Sequence, residues 1–246
     1  MRTAAILPVK RFDQAKQRLG ASVADPLRLA LALAMVADVL SALARTPALE
    51  LTIVVTCEPA ASAAARELGA VVLADAPQSG QSAAASVGVR YAVAAGIERV
   101  LCIPGDCPTL DPGELQALLS GARSAGAPAG PPLQAPAEDA GARRAEVVIV
   151  PDRHGSGTNG LLLAPPDAIA PSFGPDSCAR HRELARAAGA DWRLERVPSL
   201  LLDIDTGADL AVLRERLAGL GAHATRTGAV LGQGDRGETL SLTTPA

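Results

Sequence analysis

Aromatic residues make up only 2% of this 246-residue chain: one Trp, one Tyr and two Phe. The interior must therefore be packed from Ala, Leu and Val, and the 48% hydrophobic content supplies them. Lysine is almost absent. Of 23 Lys and Arg residues, only Lys10 and Lys16 are lysine. No basic run is interleaved with aromatics and the net charge is −3, which argues against a nucleic-acid partner. No apolar run approaches the roughly 20 residues of a membrane span. The longest, "LALALAMVA" at 29–37, lies between Arg28 and Asp38. The opening "MRTAAILPVK" has too short an apolar stretch, and no separate cleavage site, for a signal peptide. Cys57, Cys102, Cys107 and Cys178 lack CxxC spacing, so the chain reads as reduced and cytoplasmic. Neither GxSxG nor a Walker-type GxxxxGK(S/T) is present, and no Ser-His-Asp order is found, which removes hydrolase and P-loop readings.

What is present is an alternation of β-rich runs with Ala/Leu-rich amphipathic segments. Strand-like runs at 3–9, 51–57, 70–75 and 99–108 are separated by helical segments opening near residues 25, 59 and 81. Asp25 is expected to cap the first long helix, with Pro26 at its first position, and Asp111-Pro112 repeats that opening. Continuous apolar strands alternating with helices predict an α/β fold with a mostly parallel sheet covered on both faces. Residues 121–145, rich in Ala, Gly and Pro, read as a flexible insertion, because sheet-like sequence resumes at "EVVIVPD". Residues 1–219 are then one domain, and 220–246 a poorly ordered tail.

In such sheets ligands bind at the carboxyl ends of the strands, so residues just after each strand carry the information. After the first come Lys10, Arg11, Lys16 and Arg18. An ammonium on a flexible stem meets a phosphate oxygen as a point charge, which arginine's planar fork cannot do, and this accounts for the two surviving lysines. After the fourth strand, Asp106 follows Gly105 and has no capping duty, since Asp111 already caps the next helix. In "LLLDIDTGADL", Asp203 and Asp205 alternate, so an ideal strand would put both carboxylates on one face. Thr206 and Asp209 form a capping-box-like helix start. Two carboxylates so close call for a cation, and with no Cys/His cluster that cation should be hard, as Mg²⁺ is. Finally, "GSGTNG" reads as a loop exposing backbone N–H groups. "FGPDS" places Gly174 and Ser177 before a helix whose N-terminus could hold an anion. His154 and His181 lie near these loops and His223 in the tail; none is assigned as a base.

Five segments in order, "LPVKRFDQAKQRL", "GDCPTLDP", "VPDRHGSGTNGLLLAPP", "FGPDSCARH" and "LLLDIDTGADL", resemble the guanylyltransferases that activate 2-phospholactate or phosphoenolpyruvate in biosynthesis of the deazaflavin coenzyme F420. The resemblance spans roughly residues 3–218, without the insertion. It implies a three-layer GT-A-like (Rossmann-like) nucleotidyltransferase fold. It also implies attack of a substrate phosphate on the α-phosphorus of GTP with release of pyrophosphate. It maps two Mg²⁺ ions onto Asp106, Asp203 and Asp205, substrate contacts onto Thr158, Gly174 and Ser177, and the basic first loop onto Lys10 and Lys16; Arg18 beside them is a further catalytic candidate. A downstream transferase of the same pathway is an implied partner. Where many relatives carry Gly-Leu-Asn against the base, this chain has Gly80, Gln81 and Ser82, which leaves selectivity for GTP open.

The acceptor could be phosphoenolpyruvate, 2-phospholactate or 3-phosphoglycerate. The Arg- and Ala-rich composition resembles high-GC bacterial proteins and favours phosphoenolpyruvate. A molybdopterin or sugar-1-phosphate nucleotidyltransferase would share the carboxylates but usually has a glycine-rich first loop, absent here. A silent nucleotide-binding domain would have no need of three aspartates and two lysines.

Overall fold

A computed structural model describes residues 1–12, 19, 24–75, 80–121, 144–219 and 224–235. Lys16, Arg18, nearly all of the 121–145 insertion and His223 lie outside them. The described chain forms strands β1 (Thr3–Val9), β2 (Leu51–Thr56), β3 (Val71–Ala74), β4 (Arg99–Cys102), β5 (Glu146–Pro151), β6 (Thr158–Ala164) and β7 (Asp191–Leu194). Helices are α1 (Asp25–Ala44), α2 (Pro59–Glu67), α3 (Gln81–Ala94), α4 (Pro112–Leu119), α5 (Ser177–Ala187), α6 (Gly207–Gly219) and α7 (Thr225–Asp235).

One seven-stranded sheet runs β3-β2-β1-β4-β6-β5-β7. β6 is antiparallel to both its neighbours and every other pairing is parallel. The period-two alternation of β1 divides the interior. Ala5, Leu7 and Val9 pack with α1, α2 and α4, whereas Ala4 and Ile6 pack with α3 and α5 on the opposite face. This is the three-layer arrangement expected from the sequence, filled almost wholly by aliphatic side chains. Replacing a fully buried Leu or Ile of such a core by Ala costs about 2–5 kcal/mol. Small residues let the layers close: a Cβ added at Gly88 of α3 would sit 2.5 Å from Cγ2 of Ile6.

Four expectations are corrected. α1 is capped by Ala24, with Asp25 already helical and bonded to Arg28. The "TNG" of the presumed loop opens β6, so Thr158 and Asn159 stand on a strand. Leu201–Asp205 is not a sheet strand, although its alternation survives: Ile204 is buried and the flanking aspartates are half-buried. Residues 225–235 are a helix rather than a poorly ordered tail. Its N-terminus is held by Asp38 of α1, buried itself, which accepts bonds from Arg226 N–H (3.2 Å), Thr227 N–H (2.8 Å) and the Thr227 hydroxyl (2.7 Å). Leu231 then joins a third core cluster with Leu31, Met35, Leu202, Ile204, Leu210 and Leu213.

α1 is 20 residues long with a mean hydropathy of 2.0, long and apolar enough to cross a membrane. In this fold both its sides are occupied: Ala32 and Val36 enter the first core cluster, Leu31 and Met35 the third.

Candidate active site

The carboxyl ends of β1 and β4, the start of β6 and the loops around them enclose a cleft of about 690 Å³. Lys10, Asp106, Thr158, Gly174, Ser177, Asp203 and Asp205 all line it. These seven candidates therefore meet in one place, although their positions span nearly two hundred residues. Lys16 and Arg18 fall outside the described residues, so of the three basic candidates only Lys10 can be placed.

The acidic wall is built from two segments. Asp106 follows β4, and its carbonyl accepts the N–H of Ile204 at 3.1 Å, which joins the two carboxylate-bearing stretches. Gly105 lets this turn lie close to α1, since a Cβ there would sit 3.1 Å from Cγ2 of Val36. Asn159, buried at the start of β6, donates from Nδ2 to Leu200 O (2.8 Å) and to Asp203 Oδ1 (3.2 Å). Burial, then the nearby Asp106 charge, push the Asp203 carboxyl above its ordinary range; Asp205 adds to this and the Asn159 bond opposes it.

Asp209 holds the segment from behind. Its Oδ2 accepts from Asp205 N–H (3.0 Å), Thr206 N–H (2.7 Å) and the Thr206 hydroxyl (2.8 Å), while Thr206 Oγ1 caps Asp209 N–H (3.3 Å). The expected capping box is present. Arg153, from the β5–β6 loop, pairs with Oδ1 of the same carboxylate. Burial would raise Asp209, but the Thr206 bonds, the Asp205 N–H and Arg153 outweigh it and hold the group below the usual range.

The opposite wall is formed by the loops at 152–157 and 172–177. Asp152 organises the first, its Oδ1 accepting N–H bonds from His154 and Ser156 (both 3.1 Å). In the second, Gly174 takes φ 107°, a conformation open to glycine. Arg180 reaches back to the carbonyls of Ser172, Phe173 and Pro175, and Phe173 N–H donates to Ser82 Oγ at 2.8 Å. The α5 N-terminus is less open than expected. Ser177 N–H donates to Gly174 O (3.1 Å) and Cys178 N–H to Ser156 O (3.0 Å), so the Ser177 side chain and the Gly174 turn, not a free row of amides, face the cleft.

Sequence reasoning missed Asn159, Asp152, Asp75 and Phe173, all of which line the cleft. Asn159 was detectable as the polar neighbour of Thr158 ahead of the apolar run "GLLLA"; the others carry no local signal. Among the described residues no histidine lines the cleft, and no three His, Cys, Asp or Glu side chains close around a common point as a metal centre. The acidic wall offers hard oxygen donors and like-charge crowding, which fits a hard divalent cation.

Comparison with known proteins places this arrangement. A family model described as "Guanylyl transferase CofC like" matches residues 3–131. A phosphoenolpyruvate guanylyltransferase of Conexibacter woesei is 46% identical over 95% of this chain and 96% of its own length. One from Sphaerobacter thermophilus is 34% identical over 93% and 100%. Among solved structures, one from Desulfovibrio desulfuricans assigned to the nucleotide-diphospho-sugar transferases superposes with a TM-score of 0.68 at 19% identity, covering 96% of both chains. A nucleotidyl transferase from Methanothermobacter gives 0.59 at 19% identity, covering 88% of this chain and 98% of its own. The structural matches establish the nucleotidyltransferase fold, and the sequence matches go further: this chain belongs to the CofC-like guanylyl transferase family.

Proposed function

We propose that this protein transfers GMP from GTP to phosphoenolpyruvate, in the cytoplasm and as a step of coenzyme F420 biosynthesis. Family membership supports guanylyl transfer, and the names of the relatives support the acceptor. The observation that carries the reading is the cleft itself, which gathers Lys10, the three aspartates and Thr158, Gly174 and Ser177 around a space of nucleotide size.

An oxygen of the substrate phosphate attacks the α-phosphorus of GTP, the bond to the β-phosphate oxygen breaks, and pyrophosphate leaves. The nucleophile is already ionised, so no general base is required, and the cleft has no histidine among its described lining residues. Catalysis then reduces to alignment and charge neutralisation. Asp106, Asp203 and Asp205 would hold Mg²⁺, which when bound supplies the positive charge that lets two polyanions share one site. Lys10 adds an ammonium at the end of β1, where charge develops on phosphate oxygens. Thr158 and Ser177 offer hydroxyls to the carboxylate and phosphate of the acceptor.

The test is pyrophosphate release with GTP and Mg²⁺, comparing phosphoenolpyruvate, 2-phospholactate and 3-phosphoglycerate, each with and without the downstream transferase. Turnover with phosphoenolpyruvate is expected. Turnover with only one of the others would keep the chemistry and change the acceptor.

A further inference from the structure

His181 is fully buried and absent from the cleft lining, yet it touches the cleft through one residue. Its Nε2 lies 2.9 Å from the backbone nitrogen of Ser172, and its Nδ1 lies 3.0 Å from Thr158 Oγ1. A backbone N–H can only donate, so Nε2 must present a lone pair, and the single ring proton of a neutral imidazole then sits on Nδ1. Nδ1–H donates to the Thr158 oxygen. The hydroxyl has one hydrogen of its own, and that hydrogen cannot also point at His181. Thr158 lines the cleft at the start of β6, so the hydrogen is available there.

The ring has little freedom to adopt another arrangement. Phe173 packs edge-on against it, with centroids 5.3 Å apart and planes at 74°. Arg180, the preceding residue, fixes the Ser172 and Phe173 carbonyls at 3.0 and 3.1 Å and so holds the Ser172 N–H in place. A doubly protonated ring would set a second N–H against that of Ser172. Burial, with the adjacent Arg180 charge, also lowers the pKa of His181 to about 4.

We propose that His181 is a positioning residue that locks the Thr158 hydroxyl as a hydrogen-bond donor into the cleft, aimed at an anionic oxygen of the phosphorylated acceptor. The acceptor half of this statement rests on the function proposed above. The consequence is directional: at this point the site accepts a carboxylate or phosphate oxygen and disfavours a ligand group that can only donate.

The tautomer can be read directly from the imidazole nitrogens of the full chain by ¹⁵N NMR, with His154→Gln and His223→Gln used for assignment. The Nδ1–H form is expected for His181 at neutral pH; the Nε2–H form or an imidazolium would overturn the inference. Kinetics supply the second test. His181→Gln should raise KM for the acceptor about tenfold, the scale of one hydrogen bond to a charged group, and leave KM for GTP unchanged. In a Thr158→Ala background the same change should add almost nothing. Equal losses in both backgrounds, or an equal shift in KM for GTP, would contradict the proposal. Should His181→Gln fail to fold, His181→Asn, whose amide nitrogen can replace Nδ1, is expected to keep the acceptor KM near wild type; a tenfold rise there would count against it. The NMR measurement needs no substrate. A wrong tautomer therefore defeats this inference even if phosphoenolpyruvate is turned over. The right tautomer with no turnover counts against the substrate reading alone.

Discussion

The two walls of the cleft are built on opposite principles. The acidic wall concentrates carboxylates, and burial, then the charges of Asp106 and Asp205, make the Asp203 carboxyl harder to ionise. The loop wall carries a single carboxylate, Asp152, which is engaged by backbone amides of its own loop, and its other polar groups are oriented by partners behind it: His181 behind Thr158, Arg180 behind the 172–175 carbonyls. In the proposed function the first wall receives positive charge, and the second reads the shape and polarity of a ligand's oxygens. Electrostatic work and recognition are thus assigned to different segments of chain, joined by Arg153, which runs from the β5–β6 loop to Asp209.

This contrast predicts where activity fails first. Lys10→Ala, Lys16→Ala and Asp106→Ala should each lower kcat by on the order of 10²–10³ or more, as loss of one electrostatic element at a reacting phosphate does. Chelation of divalent cations should abolish turnover in the wild type. Near wild-type turnover in any variant would remove that residue from the mechanism. Substitutions on the loop wall should instead act mainly on the acceptor KM.

The loop wall should dominate the acid sensitivity of the fold. Unfolded His181 takes up its proton near the ordinary 6.5, and folded His181 only at about 4. The unfolded state therefore binds more protons between those values. The stability contributed by the neutral ring is complete above pH 6.5 and is lost as pH falls toward 4, by on the order of 3 kcal/mol. Denaturant titrations of wild type and His181→Gln across that window should show the slope flattened in the variant; parallel slopes would mean that other groups carry it.

Smaller effects are expected behind the acidic wall. Asp209→Ala removes the acceptor of three bonds and should cost about 1–3 kcal/mol. Hydrogen exchange at the Asp205 and Thr206 amides should accelerate more than elsewhere. Smallest is Asp38→Ala, which removes the cap of α7 and should cost about 1–2 kcal/mol, with exchange rising in residues 225–235. If Asp38→Ala leaves that exchange unchanged, the helix is held by Leu231 and its neighbours rather than by the cap.

Much of this was legible in the sequence because the decisive residues follow strands. Apolar runs such as "LTIVVT" announce the sheet, and the chemistry-bearing residues sit immediately after them, so Lys10 and Asp106 could be picked out. Asp203 and Asp205 were legible from their spacing alone. What escaped detection depends on distant contacts. Asp38 looks like a stray charge in an apolar helix until the N-terminus of α7 is seen to rest on it. The α7 segment itself, "TRTGAVLGQGD", has three glycines and few apolar residues, so its order comes from packing against α1 rather than from local preference. The α5 N-terminus looked like an anion site because nothing local shows that Gly174 and Ser156 carbonyls already occupy its first amides. His181 could be seen but not interpreted, since its partners Thr158 and Ser172 meet it only in the fold.

The most direct test of the central claim is the ³¹P NMR spectrum of a reaction containing the protein, GTP, phosphoenolpyruvate and Mg²⁺. The GTP signals are expected to disappear in step with the appearance of pyrophosphate and of an unsymmetrical diphosphate joining guanosine to the enolpyruvyl group. Release of orthophosphate in place of pyrophosphate, or GTP left intact beside phosphoenolpyruvate in folded protein, would contradict it.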